Sequence, residues 1–287
     1  MAAIIFMGWR FPVFAEKKPD NKVECARFPG VLVGEGHRHA NGGGVVGFNA
    51  KVSASVFVDK TSCVLDNAVV SGNVRLEGHV YVSNKARING TDAEIRIVTR
   101  DNHEIFIKDS AKLKGRITIS LKKIHSYQAK TIISGHAVID GENVSITDAT
   151  KIGGWTIIRG DVSIEFANIK GYYAKHPLII EQEAHIGGKF FPQTGQQGGV
   201  DLFGAPHIEG RVEIAGWDIK IFDQATIGGD AYISGNATIA GCTLINHGYI
   251  NSGHHETPCA DKDKLSEDPT ADATPLQDEN PQAESQE

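Results

Sequence analysis

The chain lacks the marks of several large protein classes. No apolar run reaches the ~18 residues that cross a bilayer as a helix, so no membrane partner is expected. The sequence shows no G-x-x-x-x-G-K phosphate loop and no G-x-S-x-G nucleophile elbow. Two well-marked sites, the nucleotide phosphate loop and the hydrolase nucleophile turn, are therefore absent as motifs. Cysteine is scarce: Cys25, Cys63, Cys242 and Cys259 are the four, far apart and without a C-x-x-C pair. Scattered cysteines of this kind are expected as free thiols in a reducing compartment rather than as a disulfide framework. The N-terminus has an apolar stretch, but no basic residue precedes it and Arg10 interrupts it, so no signal peptide is expected. These features point to a cytoplasmic chain, with secretion as the alternative.

Charge is lacking in a different sense, because it is concentrated at one end. Residues 256–287 carry ten Asp/Glu and two Lys, a net −8 out of the −6 of the whole chain, which leaves residues 1–255 near +2. A body so close to neutral has no electrostatic footprint for nucleic acid. The acidic end contains Pro258, Pro269, Pro275 and Pro281 and has no periodicity. Such a composition cannot bury a core, so 252–287 is expected to be a disordered tail, either a solvating segment or a recognition segment.

What the chain does have is a six-residue period. Along 50–91 a small or β-branched residue recurs as Ala50, Val56, Ser62, Ala68, Val74, Val80 and Ala86. Two positions after each stands an aliphatic residue: Val52, Val58, Val64, Val70, Leu76, Val82 and Ile88. The pattern returns with Ile at 221, 227, 233, 239 and 245, and 25 such hexads can be counted in all. A period of six matches neither an amphipathic helix nor a plain alternating strand. It does match short strands joined by tight corners and stacked as a solenoid. Residues two apart share one side of a strand, so each pair must face the core and the residue between them must face out. Glycine at the second corner position, as at Gly72, Gly78, Gly90, Gly115, Gly135, Gly141, Gly154, Gly160, Gly188, Gly210, Gly229, Gly235 and Gly241, or Asn84 in its place, implies a positive φ there.

Three hexads per coil give about eight coils and a rod of roughly 40 Å at the ~4.8 Å strand spacing. Residues 18 apart should then stack, Val52 on Val70 on Ile88 and Ile221 on Ile239. Residues 1–49 read as an irregular N-terminal cap that covers the open end, with Phe6, Trp9, Phe11 and Phe14 as plug. The helix proper is expected at 50–251. Four segments break the period, 92–104, 120–130, 168–177 and 189–205, and read as loops leaving at corners, or as wider coils of a right-handed form.

The hexads resemble those of the hexapeptide-repeat family; Ile233-Ser234-Gly235-Asn236-Ala237-Thr238 and Val70-Ser71-Gly72-Asn73-Val74-Arg75 carry the likeness. It covers about 50–248 and looks most like a V-S-G-N-A branch. The resemblance implies an all-β, single-stranded parallel β-helix, left-handed. It also implies one of two functions: a non-catalytic binding or assembly solenoid without cofactor, or an acyltransferase using acetyl-CoA or another acyl-CoA, as a trimer. In the acyltransferase relatives a histidine exposed at a corner is the base. His79 and His136 occupy the third corner position here, and His185 lies on an outward face, flanking the 189–205 loop with His207. Those three, His79, His136 and His185, are the catalytic candidates, against the plainer reading of solvated corner residues.

Other candidates are weaker. His37-Arg38-His39 and His254-His255 suggest metal, but no Cys, Asp or Glu completes a shell at recognisable spacing, so no metal site is expected. The outward aromatics Phe57, Tyr81 and Tyr232, with Trp155 and Trp217, suggest a stripe for a carbohydrate or protein ligand, and the 189–205 loop is the other place for one.

Overall fold

The computed structural model describes residues 23–25, 32–33, 36–99, 103–121, 130–147, 150–164, 167–171, 178–181, 184–187, 189–190, 197–198, 200–216 and 218–259. Within them the chain is all-β, without a helix, and forms a parallel β-solenoid of about nine turns. Each turn contributes one strand to each of three faces. The aliphatic residues of the hexads stack in register within each face and build three ladders that meet inside.

On the first face the ladder climbs Val46, Val64, Val82, Ile107, Ile133, Ile152, Ile169, Leu202, Ile221 and Ile239. The second starts Val52, Val70, Ile88, Leu113, Ile139 and ends Ile208, Ile227, Ile245. The third runs from Val58 and Leu76 to Ile233 and Ile250. Nearly all of these side chains are fully buried, each contributing on the order of 1.5–3 kcal/mol against solvent. The small member of each pair completes the interior. Where it is polar it is satisfied locally: Ser62 Oγ donates to the Gly78 carbonyl (2.6 Å), and Thr156 Oγ1 to that of Gly153 (2.8 Å). A hydroxyl can thus take an inward slot without an unpaired polar atom.

The stacks expected of 18-residue coils are present: Val52 on Val70 on Ile88, and Ile221 on Ile239. The coil count rises from eight to about nine because three pairs are hidden inside the apparent interruptions. Ile95 and Ile97, Ala167 and Ile169, and Val200 and Leu202 are all buried rungs. Extra residues at the corners before Ile95 and Val200, and a corner one residue short before Ala167, shift the sequence phase but not the spatial register. Thus 92–104 is not one loop: the strand Arg87–Thr99 runs through it, with an irregularity between Gly90 and Ile95. Two short strands, Lys189–Phe190 and Gln197–Gly198, pair antiparallel in the longest interruption.

The corners explain the glycines, with one amendment. Gly115 has φ 95°, and a Cβ there would collide with the Gly141 carbonyl. Gly141 itself, like Gly90, has no positive φ; it is glycine because the Gly160 carbonyl would lie 2.5 Å from its Cβ. Asp66, Asn84, Asp109 and Asp223 take the left-handed conformation as well as glycine does, because their short side chains hydrogen-bond locally. Asn84 N–H donates to Asp66 Oδ2 (2.9 Å), Asn84 Nδ2 to Asp109 Oδ1 (2.9 Å), and Gly135 N–H to Asp109 Oδ2 (3.0 Å). This polar ladder lines the corner between the first and second faces.

The ends correct the reading of the cysteines. They are not free: Cys25 is bonded to Cys63, and Cys242 to Cys259. A separation of 38 residues in one pair and 17 in the other hid the pairing from the sequence. Cys25 is buried with Val45, Cys63 and Tyr81 on the outer side of the first face. Tyr81, expected to point into solvent, is therefore 3% exposed, and it stacks on Phe106 at 5.1 Å. A hairpin of His37–Arg38 against Val45–Val46 leads into the first turn. At the other end Leu244–Thr257 stays paired with its neighbour as far as Thr257, past the expected end at 251. The plug aromatics Phe6, Trp9, Phe11 and Phe14 and the acidic segment from Ala260 onward lie outside the described residues.

Candidate ligand groove on the second face

Four rungs of the corner ladder carry a groove. Asn84, Asp109, Gly135 and Gly154 all have positive φ, and the residue after each, Lys85, Ser110, His136 and Trp155, turns outward. Two positions further on stand Arg87, Lys112, Val138 and Ile157, which are in register on successive strands of the second face. These eight residues line a groove of about 610 Å³. Three strand spacings make it roughly 14 Å long.

Its two ends differ chemically. Lys85, Arg87 and Lys112 are exposed and place three cations at one end. At the other, the His136 imidazole lies flat on the Trp155 indole, with centroids 3.8 Å apart and planes 6° apart. Val138 and Ile157, half-buried, form the apolar floor beneath. Ser110 is the small residue between Lys85 and the ring stack, and its size leaves the groove open. Asp109, the nearest carboxylate in sequence, is engaged by Asn84 and the Gly135 N–H, so its charge is directed into the corner.

The structure does not gather the three candidate histidines. His136 is in the groove. His79 lies at the corner that leads into the first face, its backbone N–H bonded to Thr99 Oγ1 (2.7 Å), and its Nδ1 is buried without a partner among the described residues. His185 pairs through its backbone with Ser163 and Glu213 on the third face. Nor do the outward aromatics form one stripe. Phe57 packs under the Arg75 guanidinium at 4.6 Å, and Tyr232 stacks on Tyr249 at 5.2 Å, both on the third face. Trp217 lies outside the described residues. Of the histidine pairs weighed as metal ligands, His37 and His39 do not present together: His39 is buried, its ring bonded to Asn41, while His37 is exposed.

Sequence reasoning missed a third histidine environment. Further along the second face, His207 Nε2 lies 3.2 Å from Glu181 Oε1 and 3.5 Å from Glu209 Oε2. His207 and Glu209 are two apart on one strand, but Glu181 comes from the preceding turn, at a spacing that no short motif could reveal.

Neither the protein-family models nor the curated proteins give a match to this chain. What the fold and site define is a β-solenoid with a cation- and aromatic-lined groove; the hexapeptide-repeat likeness remains one of sequence pattern.

Proposed function

We propose that this chain is a non-catalytic solenoid that binds an acidic saccharide along its second face. The observation behind this reading is the two-ended groove: three cations followed by an imidazole–indole stack and an apolar floor. The C–H face of a sugar ring packs on aromatic and aliphatic surface, and its carboxylate or sulfate pairs with Lys and Arg. A general base needs a partner that orients it, and the His136 ring touches Trp155 rather than a carboxylate, which favours binding over catalysis. The two disulfides support an oxidising compartment, the secreted alternative, over the cytoplasm.

A second reading is an acyl-CoA-dependent O- or N-acyltransferase, with acetyl-CoA as cosubstrate and a trimer as the working form. One observation favours it: cations beside an indole also suit the phosphates and adenine of a nucleotide.

Calorimetric titration with an oligogalacturonate, a neutral oligosaccharide and acetyl-CoA separates the two. The expected result is saturable binding of the acidic sugar that weakens with salt and falls at least tenfold in both Lys112→Glu and Trp155→Ala. At 100 times its dissociation constant the ligand should raise stability by ~2.7 kcal/mol. Equal affinity for the neutral sugar, or no uptake at millimolar concentration, would reject the saccharide reading. Saturation by acetyl-CoA alone would establish the second.

A further inference from the structure

The outer column of the second face next to the groove is a ladder of charge. Lys114 is in register with Asp140, and Asp140 with Arg159. Arg159 Nη1 then reaches Glu181 Oε2 at 3.8 Å. Up to this point each charge faces its opposite, as cross-strand pairs should. At the next step the alternation fails, because Glu181 is in register with Glu209. Two carboxylates directly opposite each other repel, yet both turn oxygens to one point, the Nε2 of His207. The three donor atoms lie within 4.8 Å of one another, on side chains that are 28%, 36% and 48% exposed.

We infer that Glu181, His207 and Glu209 form a binding site for a divalent transition-metal cation of the zinc class. The donor set is one imidazole nitrogen and two carboxylate oxygens, which such ions accept. A tetrahedral ion with bonds of 2.0–2.1 Å holds its ligands about 3.3 Å apart. The separations of 3.2 and 3.5 Å from His207 Nε2 bracket that edge. Glu181 offers Oε1 while Arg159 holds Oε2, an arrangement that orients the ligand from outside the first ring of donors. Three protein donors leave a fourth position toward solvent for water or a ligand carboxylate. The site crosses adjacent strands, Leu178–Glu181 and His207–Glu209, so an ion there ties two successive turns.

This inference does not depend on the saccharide reading. The test is titration of the full, metal-stripped chain with Zn2+ and with Co2+, by calorimetry and by the visible spectrum of the cobalt form. One equivalent should bind, with intense low-coordinate cobalt bands. His207→Ala and Glu209→Gln should each weaken uptake by at least tenfold while melting as the parent does in chelator. A His254→Ala, Glu256→Gln double variant is the control, because that exposed pair lies 3.0 Å apart at the C-terminal end. It should bind like the parent. Absence of stoichiometric uptake, or equal uptake by His207→Ala and the parent, would overturn the proposal.

Discussion

Glu77 shows what a side chain gains from the turn next to its own. Arg75, on its own strand, donates Nε to Oε1 at 2.7 Å, and Arg96, one turn on, donates Nη2 to Oε2 at 3.2 Å. Partial burial raises the carboxyl pKa, but hydrogen bonds from both arginines, and their charges, outweigh it and hold the group below its ordinary 4.5. With the folded value depressed, the unfolded chain takes up the proton first. The stabilisation is complete above the unfolded pKa and is lost as pH falls through the folded one. Glu77→Gln should therefore lower the urea midpoint modestly at neutral pH, and the gap to the parent should close under acid. Parallel midpoint curves would show that the arginines contribute nothing through charge. At this scale the sequence told inside from outside well. It could not tell an outward slot in solvent from one covered by a distant segment, and so Tyr81 was placed in water. Of the site, the corner position of His136 was legible. Its stacking on Trp155 was not, nor were the cations beside it, because the turns from 85 to 110, from 110 to 136 and from 136 to 155 all depart from 18 residues.

The strand is the unit in which the hexad acts. Val70 touches the turns on both sides through Val52 and Ile88 and is fully buried. Val70→Asp places a charge where no partner exists, on the order of 4 kcal/mol by analogy with orphaned buried charges, a large share of the usual stability of a domain. The expected outcome is loss of soluble folded protein, seen in the circular dichroism melt; a near-parental melt would contradict the inward ladder. Uninterrupted strands could be read because each rung repeats the one before it. Ile95, Ala167 and Val200 escaped because a corner of changed length resets the count along the chain while hydrogen bonding between turns keeps the register in space.

For the whole molecule, the two disulfides matter through where they sit. Cys25–Cys63 fixes the covering segment to the first turns, and Cys242–Cys259 fixes the last turn to the one before it. Loop closure makes each worth about 3–4 kcal/mol. In a solenoid that contribution is local, since each turn contacts only its neighbours. Reduction should therefore speed amide exchange in 45–64 and 244–257, while 105–121 and 130–146 stay protected. A uniform rise across all turns would instead mean that the molecule melts as a single cooperative unit. The uneven turns have their own corollary. Alignment is kept across an advance of 18 residues from Val52 to Val70 and across one of 33 from Ile169 to Leu202. Segments spliced at an edge of the prism, where long insertions add little closure entropy, leave everything downstream aimed as before. The molecule is thus a rail that accepts new appendages one at a time without being rebuilt.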